Sequence, residues 1–158
     1  MRPVRVTTTV PYPPERVYDY LDVLANHESF TNHVLKDWKY SGPERGIGAK
    51  AKVTAALAGR SEPVEMEVIA AERPRTIVEQ NVGAQGRRIA TGTYTFEPTP
   101  SGETVIAFEY AWKQAPLGER VAAPLVRAIL ASANRRAMAR LAEQLPESLG
   151  PPRSGPAA

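Results

Sequence analysis

The stretch Arg88-Ile-Ala-Thr-Gly-Thr-Tyr-Thr-Phe-Glu-Pro-Thr-Pro-Ser-Gly-Glu-Thr-Val-Ile-Ala-Phe-Glu-Tyr-Ala-Trp112 contains two alternating runs with a break between them. In the first run Tyr94 and Phe96 fall on one side, and Thr91, Thr93 and Thr95 on the other. In the second, Ile106, Phe108, Tyr110 and Trp112 share a side that excludes Glu109. Side chains along a strand alternate between faces, so this pattern predicts two strands, each with one bulky, buried face. Pro98-Thr-Pro-Ser-Gly102 between them is built of turn-forming residues, and the pair reads as an antiparallel hairpin.

The same period of two continues upstream. Ala49, Ala51, Val53, Ala55 and Leu57 alternate with Lys50, Lys52 and Thr54, and Val64, Met66, Val68 and Ala70 alternate with Glu65 and Glu67. Glu72-Arg-Pro-Arg75 turns the chain into a further strand over residues 76–82, and Ser41-Gly42-Pro43 ends another over 34–40. Residues 4–10 are β-branched and read as the first strand, stopped by Pro11. Pro13 and Pro14 suit a helix start, and Val17, Tyr18, Leu21 and Leu24 follow at helical spacing; Asn26 is placed to cap a second short turn through Phe30.

Downstream the period changes. Residues 118–145 hold Leu125, Ile129, Ala133, Ala137 and Leu141 in one apolar stripe, as expected of a long helix lying on a sheet. Pro124 either kinks this helix or marks its first turn, and Pro146 is expected to end it. The arginines Arg127, Arg135, Arg136 and Arg140 read as a solvated face. The fold class is α+β: a curved antiparallel sheet of about seven strands around a long C-terminal helix, with two short helices after the first strand. Residues 1–147 form one domain, and 148–158, rich in proline and glycine, form a disordered tail.

The chain has 158 residues, enough for one domain with a core and too few for two. With 42% hydrophobic and 23% charged residues it fits the globular class rather than the disordered or membrane-spanning ones. Twenty basic against seventeen acidic residues leave only +3, which does not point to nucleic acid. The absence of cysteine excludes disulfides, thiolate nucleophiles and cysteine-based metal sites. Met1-Arg-Pro-Val-Arg-Val6 has no apolar run behind its charges, so it reads as neither signal peptide nor anchor, and a cytoplasmic protein is expected.

Four segments together carry a resemblance: Val10-Pro-Tyr-Pro-Pro-Glu-Arg-Val-Tyr18, Ser41-Gly-Pro-Glu-Arg-Gly-Ile-Gly48, Ala71-Glu-Arg-Pro-Arg75, and Gly92-Thr-Tyr-Thr-Phe-Glu-Pro98 followed by Ser101-Gly-Glu-Thr-Val105. In order and spacing they resemble the START-type helix-grip superfamily, also called SRPBCC, and in particular its polyketide cyclase/dehydrase-like bacterial members. The resemblance implies a deep cavity between the concave sheet face and the long helix, opening near the short helices. It implies a small hydrophobic ligand (a lipid, isoprenoid or polyketide-like molecule) and no cofactor, metal, nucleic acid or integral membrane segment, in a monomer or homodimer.

On the parity above, Trp38, Val53, Met66, Gln80, Tyr94, Phe96, Phe108, Trp112, Leu125, Ile129 and Ala133 are the candidate ligand-binding residues. For any single one of them simple core packing is the commoner reading, but large side chains on the hairpin facing small ones such as Ala51, Ala55 and Ala133 can leave a void that suits an apolar ligand. The candidate catalytic residues are His33, Tyr110 and Arg88. His33 lies roughly where the resembling cyclases place a cavity tyrosine, and its imidazole titrates near neutrality; the alternative is a surface histidine at a helix end. His27 reads as an exposed helix-start residue without a role. The cavity arginine common in those cyclases is missing, since Lys50 and Lys52 occupy that stretch, and Arg88 is the substitute. Gly42, Gly46 and Gly48 run into a strand and read as turn chemistry, not as a phosphate loop. Three functions stay open: a carrier of an apolar ligand, a cyclase/dehydrase-type enzyme moving protons in the cavity, and an interaction module with a small dry interior.

Overall fold

Each strand after the first two helices pairs antiparallel with its neighbour in sequence, because short turns leave no length for a crossover. The computed structural model describes residues 1–153. The strands are β1 (Val4–Val10), β2 (Leu35–Ser41), β3 (Lys50–Leu57), β4 (Arg60–Glu72), β5 (Thr76–Gly83), β6 (Arg88–Pro98) and β7 (Thr104–Gln114). They form a seven-stranded sheet in the order β1-β7-β6-β5-β4-β3-β2. The helices are α1 (Pro14–Leu21), α2 (His27–Thr31), α3 (Leu117–Val121) and α4 (Ala123–Leu149), with a 3-10 turn at Leu24–Asn26. The expected α+β helix-grip architecture is the observed one.

The hairpin β6–β7 sets which face is concave. Its register places Tyr94 opposite Phe108 and Phe96 opposite Ile106, all facing α4. Thr91, Thr93 and Thr95 face outward, as their alternation predicts. Register then carries this parity across the sheet: Ile77 pairs with Tyr94 and Glu79 with Gly92. Directly paired residues share a face, so Ile77 and Glu79 point inward, and Gln80 points outward. The expectation for Gln80 is thereby reversed. The valines at 78 and 82, which suggested the opposite parity, cover the outer face of the sheet. Register shifts in β2 between Lys36 and Lys39 and in β4 between Val68 and Ala70 interrupt the ladder. The second moves Ala70 out of the inward series, to an exposed position. Such bulges bend a strand and add to sheet curvature.

The packed core gathers where α1, α2 and the C-terminal half of α4 meet β1, β6 and β7. Tyr12, Val17, Leu21, Phe30, Ile106, Leu141 and Leu145 are fully buried there. Each is worth about 1.5–3 kcal/mol relative to an exposed position. Along α4 the buried residues are Ala137, Met138, Leu141 and Leu145, all in its second half.

Pro124 marks the first turn of α4, one of the two readings of that proline, and a non-helical Ala122 separates α3 from α4. The far end departs from expectation. Pro146 does not stop the helix, which runs through Ser148 to Leu149, two residues into the expected tail. Leu145 and Leu149 pack into the core, and the Tyr12 hydroxyl donates to the Gly150 carbonyl at 2.7 Å while Arg16 donates to that of Leu149. These contacts outweigh the hydrogen bond that the proline removes. The remainder of the expected tail falls partly on residues 154–158, outside the described residues. Tyr12→Phe deletes the hydroxyl bond alone and should lower the unfolding free energy by about 0.5–1.5 kcal/mol. Amide exchange should quicken in the last turn of α4; an unchanged last turn would show that this hydroxyl does not hold it.

Candidate ligand cavity

Between the concave sheet and the N-terminal half of α4 lies a cavity of about 1130 Å³. Phe108, Tyr110 and Trp112 of β7 and Tyr94 of β6 form one wall, and Leu125, Ile129 and Ala133 of α4 form the opposite one. Met66 and Val64 of β4 and Trp38 of β2 complete it. Ten of the expected residues therefore come together: Trp38, Met66, Arg88, Tyr94, Phe108, Tyr110, Trp112, Leu125, Ile129 and Ala133. The aromatic wall is internally packed, with ring centroids 4.7 Å apart for Tyr94 and Phe108 and 4.9 Å for Tyr110 and Trp112. Gly92 makes the first contact possible, since a Cβ there would sit 2.9 Å from the Phe108 ring. Burial pushes the Tyr110 hydroxyl up to about 12.

Val53 and Phe96 have the expected inward parity but are taken up by the packed core, Phe96 against Tyr18 at 5.7 Å. The cavity also opens at the other end from that expected. α1, α2 and the 3-10 turn between them plug the end near the short helices with Tyr18, Leu21, Leu24 and Phe30, all buried. The solvent-exposed rim is formed by Arg60, Ser61, Arg87 and Gly118, on the β3–β4 and β5–β6 turns and α3.

Arg88 stands at this rim. Its guanidinium donates to Glu62 and, through Nε at 3.0 Å and Nη2, to Glu119, so that the sheet is tied to α3. The Glu119 and Glu62 bonds outweigh its burial and hold its charge more firmly than usual. Its donors toward the cavity are thus largely used. Lys50 and Lys52 lie on the outer face, 3.7 Å from Glu67 and 3.2 Å from Glu65, and do not enter the cavity.

The two histidines exchange their expected places. His33 is not part of the cavity wall. Its Nε2 donates to the Ala133 carbonyl at 3.0 Å, and Arg140 lies 3.4 Å from Nδ1, so the ring joins the end of α2 to α4. Burial, then the charges of Arg140 and Arg136, lower its affinity for a proton despite the bond to Ala133. Arg140 also donates to the Ser29 carbonyl, and Arg127 to those of Arg2 and Pro3, so this arginine face is only partly solvated.

His27, expected to be exposed, is 2% exposed and opens α2 at the closed end of the cavity. Its Nδ1 lies 3.0 Å from Oε1 of Glu79, itself 3% exposed, and its Nε2 donates to the Leu21 carbonyl at 2.7 Å. Phe30 and Tyr94 rings flank the imidazole at 5.5 and 5.4 Å. Burial disfavours the imidazolium, but the Glu79 carboxylate and the Leu21 carbonyl together outweigh it and raise the imidazole above its usual range. Glu79 is a cavity residue that the parity of Val78 and Val82 concealed; the register that pairs it with Gly92 reveals it only in the folded sheet.

The chain belongs to the family described as polyketide cyclase / dehydrase and lipid transport, whose model matches residues 1–146. None of the curated proteins matches it. Among solved structures it is similar to protein TTHA0849 of Thermus thermophilus, with TM-score 0.74 and 18% identity over 93% of this chain and 99% of that one. It is also similar to the ZhuI aromatase/cyclase of a Streptomyces species (TM-score 0.72, 14% identity, 94% and 98% covered). A third similar structure is norcoclaurine synthase of Thalictrum flavum (TM-score 0.68, 14% identity, 90% and 87% covered). At these identities the likeness concerns the fold. No helix is long and apolar enough to cross a membrane among the described residues.

The two imidazoles should titrate on opposite sides of the ordinary histidine value of about 6.5. Ring-proton NMR should show His27 holding its proton above that pH and His33 already neutral there. Overlapping titrations near 6.5 would mean that neither environment acts on its ring as described.

Proposed function

We propose that this protein binds a small, mainly apolar molecule in the cavity between the sheet and α4, with a lipid, isoprenoid or polyketide-like skeleton. The observation that carries the reading is the cavity itself: about 1130 Å³ walled by aromatic and aliphatic side chains in a domain whose core is otherwise close-packed. A void of that size leaves its lining without partner atoms, a cost that a ligand offsets by burying its own apolar surface there.

The polar atoms of the wall refine the class. Trp112 Nε1 on β7 and Asn134 Nδ2 on α4 are buried donors without a hydrogen-bond partner. A buried donor left unpaired costs about 1–3 kcal/mol, so a ligand that supplies an acceptor oxygen gains over a bare hydrocarbon. The favoured ligand is an apolar skeleton with a carbonyl or hydroxyl group. This agrees with the family's description, which spans both lipid transport and polyketide chemistry.

Trp112 and Trp38, both in the lining, report on occupancy. Titration with a fatty acid or with anilinonaphthalene sulfonate should change tryptophan fluorescence saturably. Ala133→Phe, which projects a ring from α4 across the cavity, should weaken that binding at least tenfold while costing no more than about 1–3 kcal/mol of stability. Full affinity in a folded Ala133→Phe variant would place the ligand elsewhere.

A further inference from the structure

We propose that Glu79 is a carboxylate base for carbon acids bound in the cavity, molecules with a C–H bond made acidic by an adjacent electron-withdrawing group, and that His27 is its positioning residue. The inference rests on the reading that the cavity takes an apolar ligand. It assigns the chemistry to a pair at the closed end of the cavity, and not to His33, which is bound to the Ala133 carbonyl outside the wall.

Three observations lead to it. Glu79 is almost fully buried yet belongs to the cavity wall, and its Oε1 has no well-aligned hydrogen bond. A carboxylate needed only for structure would be sealed in the core with both oxygens satisfied. Next, His27, the cation-forming group that pairs with it, is locked by the Leu21 carbonyl at 2.7 Å and by the rings of Phe30 and Tyr94. Its Nδ1 is therefore held at 3.0 Å from the carboxylate with little freedom to turn away. Lastly, Trp112 and Asn134, whose Nε1 and Nδ2 are buried donors without a partner, belong to the lining of the same cavity, so a side-chain adjustment there gives a developing oxyanion a donor. The other titratable groups bearing on the pair are Asp22, which favours the imidazolium, and Tyr94, whose hydroxyl burial and Glu79 hold protonated.

The step balances without a co-reactant. A Glu79 oxygen takes the proton from carbon, and the C–H electron pair moves into the neighbouring carbonyl, whose oxygen becomes the enolate. The proton then returns to carbon or oxygen of the product, or passes to water. The apolar cavity keeps water from competing with the substrate for the carboxylate, and His27 at 3.0 Å holds that carboxylate in place.

The test uses nitrobenzisoxazole, a flat apolar carbon acid. Loss of its C–H proton to a base forms a nitrile, breaks the N–O bond and releases a coloured cyano-nitrophenolate. The purified protein should accelerate this reaction beyond an equal concentration of acetate, and Glu79→Gln should lose at least about 100-fold of that rate. Anilinonaphthalene sulfonate binding, measured on the same samples, should be retained. In His27→Gln kcat should fall at least about tenfold while KM and dye binding stay as in the unaltered protein, because the carboxylate loses the group that holds it at 3.0 Å; loss of packing alone would weaken dye binding as well. Should Glu79→Gln fail to fold, Glu79→Asp retains a carboxylate on a shorter side chain and should keep a reduced but measurable rate. Dye binding without acceleration, or acceleration undiminished in Glu79→Gln, overturns the proposal and leaves the binding reading standing. Absence of dye binding by the unaltered protein overturns the binding reading itself.

Discussion

Everything in this molecule depends on α4 being anchored along half its length. Its C-terminal half sinks Ala137, Met138, Leu141 and Leu145 into the core and leans on β1 more than on any other strand. Its N-terminal half contributes no fully buried residue, because the sheet curves away beneath it. A helix seated along its whole length would squeeze out the space between Ile129 and the aromatic wall. The seat is reinforced by bonds at several heights: Tyr12 and Arg16 at the end, Arg140 and Gln144 to the Ser29 carbonyl, and Arg127 to the first residues of the chain. The cavity is thus a product of where the helix is held.

Much of the fold was legible in the sequence because one face of each strand is solvated. Lys50, Lys52, Glu65 and Glu67 spell out the outer face of β3 and β4, and the threonines do so for β6. The pattern fails where both faces of a strand carry apolar side chains. On β5, Ile77 faces in and Val78 and Val82 face out, so alternation alone cannot choose, and the choice made from the valines turned Gln80 inward. The ladder decides it: Ile77 lies opposite Tyr94, and antiparallel partners share a face. His27 escaped for a different reason. A histidine followed by Glu28 and Ser29 has the composition of an exposed helix start, and its burial follows from α2 being laid across the end of the sheet, a tertiary event with no local signature. The helix end was misjudged because Pro146 signals termination locally, whereas Tyr12 and Arg16, more than a hundred residues earlier, hold the last turn in place.

The His27–Glu79 pair also sets the electrostatics of an otherwise apolar interior. Burying two ionisable groups costs several kcal/mol each before their attraction is counted, and a well-packed apolar pair of similar volume is often no less stable. Their arrangement is specific: one ring nitrogen on a helix carbonyl, the other on the carboxylate, and aromatic rings on either side. Arg88 solves the analogous problem at the rim, where Glu62 and Glu119 neutralise it and fasten α3 over the opening. Charge is therefore confined to the two ends of the cavity, and the middle is left to Phe108, Trp112, Ile129 and Ala133.

The unfilled space also bears on how such a chain can vary. In a packed core, truncating a side chain opens a new hole, and the cost grows with its volume. Tyr110, Trp112 or Ile129 border a hole that already exists, so shortening one of them enlarges it and breaks fewer contacts. Wall residues are in this sense only loosely coupled to folding, while Tyr12, Phe30, Ile106 and Leu141 are tightly coupled. A lineage can then reshape this space by trading wall residues without re-engineering the scaffold. Shared architecture at 14–18% identity is the kind of divergence such decoupling permits.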